Sequence, residues 1–137
     1  MMKLFLDTNV VMDFMAYRTP FVFDALRIFQ LGSGSMHQLF ASDLTFANVA
    51  YLLKKSMTLD ELYSKLSILR TYLRVAGMGE EAVDEALRLH HKDFEDALQY
   101  FAARQIEADC IITRNKKDFI ISDIPVWTPD EFLSTVE

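Results

Sequence analysis

Four carboxylates in this 137-residue chain stand where chemistry could use them. Asp7 closes the apolar run Lys3-Leu4-Phe5-Leu6 and is followed by the polar pair Thr8-Asn9. An apolar run bounded by a polar turn reads as a buried strand. Asp7 then falls at its C-terminal end, the edge where open α/β sheets bind ligands. A carboxylate there is costly unless something positive faces it. Asp93 and Asp96 stand at i and i+3, so on a helix they share one face. Asp118 follows a further expected strand, residues 109–113, by one turn. Like charges brought together must be compensated. A divalent cation does this through oxygen ligands, and Mg²⁺ commonly takes a few carboxylates and keeps several waters. Such an ion can activate water and hold a phosphate in line. Helix electrostatics is the competing explanation for Asp93 and Asp96, because acids are favoured near a helix start. Any one of these aspartates, taken alone, is more often a cap or a solvated residue.

The elements that must position them follow from periodicity and punctuation. Residues 3–7 form the first strand. Val10 to Met15 is a short helix with Asn9 as its cap. Pro20 opens a second helix to about Leu31, which Gly32-Ser33-Gly34-Ser35 stops. Gln38 to Ala41 is a second strand, and Ser42 or Asp43 caps a third helix closed by Lys54 and Lys55. Thr58 with Glu61 is a capping box for a fourth helix, whose stripe is Leu62, Leu66, Leu69, Tyr72 and Leu73. Arg74 to Gly77 holds a short third strand. Helices over 80–89 and 93–106 flank the joint His90-His91-Lys92, where the histidines serve as a helix C-terminal charge. Asp109 to Thr113 is the fourth strand, 114–119 a loop or helical turn, and Pro125 to Trp127 the fifth strand. A last helix starts at Thr128-Pro129-Asp130-Glu131. Strands alternating with helices imply a parallel sheet with right-handed crossovers.

The size is that of one ordinary domain, and we expect a single domain over 1–137. With 51% hydrophobic residues and 11 Phe, a sizeable core needs no disulfide or metal staple. The one cysteine, Cys110, lies in an apolar run, reads as a buried hydrophobe and fits a reducing cytosol, so a cytoplasmic protein is expected. The first apolar run is too short for a signal peptide, and no stretch is long enough to span a membrane. A net charge of -6 argues against nucleic-acid binding through the overall field, though not against a local basic patch.

Beyond these physical readings, four segments in order resemble the PIN domain family. They are Leu6-Asp7-Thr8-Asn9-Val10-Val11-Met12-Asp13, Ser42-x-x-Thr45-x-x-Asn48, Asp93-Phe94-Glu95-Asp96-Ala97-Leu98-Gln99 and Ile112-Thr113-Arg114-Asn115-Lys116-Lys117-Asp118-Phe119. The resemblance implies a three-layer α/β/α sandwich with a central parallel sheet of four to five short strands and an acidic pocket. It implies a Mg²⁺- or Mn²⁺-dependent ribonuclease. Small members resembling this chain are often the dimeric toxin of a toxin–antitoxin pair, which makes an RNA substrate, an antitoxin and a homodimer the expected partners. Carried over by position, Asp7, Asp96 and Asp118 hold the ion and Asp93 is a further ligand or proton acceptor. Thr113, Asn9, Asn48 and Asn115 support the pocket. Asn48 and Asn115 stand where the family pattern usually has acids; Asp118 is the carboxylate left to take over in the last motif.

Arg18, Arg114 and Lys116 fall in loops near the same edge and could contact RNA phosphates, which position a substrate without reading it. Asp13 belongs to the first motif by resemblance and physically reads as a surface or supporting group. Two other functions compete with the nuclease. Asp7 could be the nucleophile of a phosphoryl-transfer enzyme, but the second Asp that such phosphatases carry two residues on is Asn9 here. A PIN-like RNA- or partner-binding module that has lost turnover is the non-enzymatic alternative.

Overall fold

The computed structural model describes residues 1–34, 36–119 and 122–136. Its spine is a five-stranded, all-parallel sheet ordered β3-β2-β1-β4-β5. The strands are β1 (Met2–Leu6), β2 (His37–Ser42), β3 (Arg74–Ala76), β4 (Cys110–Ile112) and β5 (Val126–Trp127). Seven α-helices occur among the described residues: α1 (Thr8–Met15), α2 (Val22–Ser33), α3 (Asp43–Leu53), α4 (Leu59–Tyr72), α5 (Gly79–Leu89), α6 (Phe94–Gln105) and α7 (Pro129–Val136). None is long and apolar enough to cross a membrane.

Side-chain alternation along β1 divides the core into two layers. Leu4 and Leu6 point into a cluster with Val10, Ala25, Ile28, Phe29, Val49, Leu69 and Phe132, under α1–α4 and α7. Phe5 points the other way, to Ile111, Ala82, Ala86, Phe101 and Ala102, under α5 and α6. The small alanines let that helix pair approach the sheet closely. These two layers and the sheet between them are the α/β/α sandwich expected from the sequence. Cys110 is wholly buried and burial pushes its thiol up to about 12, so it behaves as a hydrophobe.

The chain visits β1, β2 and β3 in one direction, then returns to place β4 on the other side of β1. The order therefore reverses between β1 and β4, and a crevice opens beyond their C-terminal ends. Asp7 and Thr113 lie one residue past these two strands.

Several boundaries moved. The cap of α1 is Asp7, not Asn9: its backbone is extended and its Oδ1 accepts from the Thr8 N–H. Pro20 does not open α2, which begins at Val22. Gly32 and Ser33 continue that helix, and position 32 suits glycine because a side chain there would drive into Leu39 of β2, with Cβ only 2.5 Å from Leu39 Cγ. Gly34 caps it, and Ser35, the last residue of the expected stop, lies outside the described residues. Ser42 is the cap of α3, and Lys54 and Lys55 lie in a 3₁₀ turn beyond it. The Thr58–Glu61 capping box is present as expected, and Thr128 with Glu131 makes a second one at α7. The weak third strand exists, and pairs Val75 with Ala41.

Candidate active site

Asp7 is buried, and both oxygens of its carboxylate accept hydrogen bonds. Oδ1 accepts from the Thr8 amide at 2.8 Å, and Oδ2 accepts from the Thr113 hydroxyl at 2.8 Å and the Asn9 amide at 3.4 Å. Asn9 also donates to Thr113 Oγ1 at 3.3 Å, and the Asn115 backbone N–H donates to the same oxygen at 3.1 Å. Burial nonetheless raises the Asp7 carboxyl above its usual range. The bonds from Thr113 and Thr8 oppose that shift, while Glu95 and Asp118 add to it by charge repulsion.

Asp96 projects from the first turn of α6. Its carboxyl is pushed up to about 7, chiefly by desolvation, then by the charges of Asp93, Asp118, Asp7 and Glu95. Three separate stretches of chain thus bring their acids to one crevice. Asp93 is the cap of α6, its side chain accepting from the Asp96 N–H at 3.2 Å. The helix-start explanation therefore accounts for Asp93 as the cap, and Asp96 lies in the first turn but makes no capping bond of its own. Asp118 lies on the 3₁₀ turn Lys116–Phe119 and shares a small recess with His91, Asp96 and Tyr100. His91 follows α5 and its Nδ1 lies 3.0 Å from the Asp93 N–H, while His90 is the left-handed C-cap of α5.

The positive groups expected along this edge are engaged elsewhere. Asp13, at the far end of α1, is only 1% exposed and is not a surface residue. Arg114 grips it with Nε at 2.7 Å and Nη2 at 3.2 Å, and Arg18 adds Nε at 2.9 Å. The Arg114 guanidinium lies 4.0 Å above the half-exposed Phe21 ring. Arg18 also bonds the Asn9 carbonyl, and the Arg114 amide donates to Asn9 Oδ1. The Asp13 pair thereby fixes the two segments that hold Asp7. Lys116 pairs with Glu131 on the surface. Arg18, Arg114 and Lys116 thus each have a carboxylate partner, and each keeps part of its side chain exposed.

Asn48 turns its amide to Glu95 Oε1 at 2.8 Å. Asn115 contributes its backbone rather than its exposed side chain. Two features escaped the sequence. Glu95 adds a fifth acid to the field, signalled only by its place between Asp93 and Asp96. Thr8, Thr45, Ser42 and Gln99 form a hydroxyl–amide cluster beneath Asp7. Among the described residues no three His, Cys, Asp or Glu side chains converge on one point as a closed cage.

Comparison with known proteins gives a consistent result. The PIN domain family model matches residues 3–117. Ribonuclease VapC1 of Aquifex aeolicus is 32% identical over 138 residues, covering 95% of this chain and 92% of that protein. Among solved structures, VapBC-1 from nontypeable Haemophilus influenzae superposes with a TM-score of 0.72 at 21% identity, covering 94% of this chain and 99% of that one. A toxin–antitoxin complex from Klebsiella pneumoniae gives 0.68 at 23% identity, covering 92% and 97%.

Proposed function

The chain belongs to the PIN domain family, and on that premise we propose that it is a metal-dependent endoribonuclease, the toxin of a toxin–antitoxin pair. One observation carries the reading. Asp7 and Asp96 are gathered with Asp118, Asp93 and Glu95, and the Asp7 and Asp96 carboxyls are both raised, while the arginines Arg18 and Arg114 are committed to Asp13. Such an arrangement costs stability unless a cation completes it. The donor set is all oxygen, which suits Mg²⁺ or Mn²⁺. An open set fits as well as a cage would, because Mg²⁺ is usually held by one or two carboxylates and keeps several waters. Asp7, Asp96 and Asp118 would hold the ion, with Asp93 as a further ligand or proton acceptor. When bound, the cation supplies charge neutralisation at the phosphodiester and a water acidic enough to attack it.

The chain's own groups do the remainder. Thr113, Asn9 and the Thr8 amide hold Asp7 in one rotamer and keep it aimed at the crevice. Without a cation the Asp96 carboxyl is raised to about 7, so at neutral pH it gives up its proton readily when an ion takes its place. Asn48 anchors Glu95 at the rim and adds no charge of its own. An antitoxin and a second copy of the chain are the proposed partners, in a cytoplasmic setting. Exposed Tyr51 and Leu52 on α3 and Leu59 and Tyr63 on α4 provide apolar surface for them. One domain accounts for all described elements in this reading.

The test is cleavage of a mixed-sequence single-stranded RNA with Mn²⁺, with Mg²⁺ and with chelator, beside Asp96→Asn prepared in parallel. We expect metal-dependent cleavage that the variant loses. Cleavage that survives chelation or the substitution contradicts the proposal, and RNA binding without turnover in any metal moves the chain to the binding-module reading.

A further inference from the structure

One turn beyond Asp96 on α6, Gln99 is wholly buried. Its Nε2 donates to Thr45 Oγ1 at 3.2 Å and reaches Thr8 Oγ1 at 3.5 Å. The two hydroxyls are themselves 2.8 Å apart, and Ser42 Oγ adds a bond to Thr45 at 3.3 Å. A single amide therefore joins α6, the first residue of α1 and the first turn of α3. Thr8 directly follows Asp7, and its N–H binds the Asp7 carboxylate. The other end of the amide tells a different story: Gln99 Oε1 is buried with no hydrogen-bond partner among the described residues. A buried acceptor left unpaired costs free energy that an apolar side chain of the same size would avoid. A Met at this position would remove that cost in exchange for the Nε2 bonds.

We propose that Gln99 is a positioning residue of the acidic crevice. Through Thr45 and Thr8 it sets the separation between the Asp96 carboxylate on α6 and the Asp7 carboxylate at the end of β1. Two carboxylates that repel one another push their elements apart when no cation is bound. The strut resists this at the level just below the acids, so the crevice keeps its cation-binding spacing when empty. The inference rests on the reading of Asp7 and Asp96 as the residues that hold the ion.

The experiment compares wild-type protein with Gln99→Met, Thr45→Val and Thr45→Ser. Three quantities are measured for each: Mn²⁺ affinity by calorimetry, metal-free melting temperature, and RNA cleavage. Gln99→Met and Thr45→Val each weaken Mn²⁺ binding by about tenfold, the usual cost of losing a group that orients a ligand. The Gln99→Met melting temperature equals or exceeds that of wild type. Thr45→Ser, which keeps the hydroxyl, retains wild-type affinity. The double variant Gln99→Met/Thr45→Val is no worse than the poorer single one, because both cut the same strut. Wild-type Mn²⁺ affinity in folded Gln99→Met overturns the proposal. So does a loss of affinity that simply tracks melting temperature across the set. Wild-type protein that neither binds Mn²⁺ nor cleaves RNA sinks the nuclease reading and this inference with it, whereas active wild type beside unaffected Gln99→Met sinks this inference alone.

Discussion

Asp7 and Asp13 bracket the same short helix, and both are buried, yet the protein treats their charges in opposite ways. Asp13 receives three guanidinium bonds from Arg18 and Arg114, so its charge is neutralised within the chain. Asp7 receives only neutral donors and sits among other acids. The side chains of Arg18 and Arg114 are 42% and 27% exposed, so solvent completes their hydration while the carboxylate stays dry. The contrast separates a carboxylate that builds the structure from one kept ready for something the chain does not supply. A buried pair that is complete holds two segments together. An incomplete cluster stores an electrostatic cost that a ligand can relieve.

The sharpest way to break this comparison is to neutralise each carboxylate in turn. Asp7→Asn is expected to lower the cleavage rate by about a hundredfold or more, ~3 kcal/mol of barrier. It should leave the melting temperature within about 2 °C, since a raised carboxyl is already reluctant to ionise. Kinetics and a melt on the same sample check both halves. Asp13→Ala should show the converse balance. It strands two arginines beside a buried hole and costs ~2–3 kcal/mol of stability, discounted from the fully buried value because both arginines reach water. Urea unfolding measures that loss. If the two variants exchange phenotypes, the division drawn between them is wrong.

A smaller effect follows from pH. Asp96 has its carboxyl raised in the folded state, to about 7 from the ordinary 3.8, and Asp7 is raised in the same direction. Between these limits the folded chain binds more protons than the unfolded one, so stability falls as pH rises. Metal-free protein should therefore melt about 3 °C lower at pH 7.5 than at pH 5 on account of these groups. Asp96→Asn should flatten the trend, and Mg²⁺ should erase it by stabilising the ionised form. Melting curves across pH with and without the ion decide this, and a trend that Asp96→Asn leaves unchanged assigns it to other groups.

What the sequence disclosed depended on how far apart the partners lie. The strand ending at Asp7, the Thr58–Glu61 box and the short strand at Arg74 are written in adjacent residues, and all are present. The acids of the crevice were legible from strand ends and from a helix-face spacing. Of the two readings of Asp13, surface or supporting, the supporting one holds, and the sequence did not decide between them because its main partner, Arg114, is 101 positions away. Gln99 and Thr45, 54 apart, were silent for the same reason. Pro20 misled because a proline suited to a first helical turn is equally suited to the turn before it.

The central claim is that the Asp7–Asp96 crevice carries charge the chain leaves uncompensated. Carbon-13 NMR titration of the aspartate carboxyls, with Asp96 assigned by its loss in Asp96→Asn, tests that claim most directly. Asp96 is expected to titrate near 7 in metal-free protein and to fall into the ordinary carboxylate range when Mg²⁺ is added. An Asp96 carboxyl that titrates near 4 without metal, and does not respond to Mg²⁺, would contradict it.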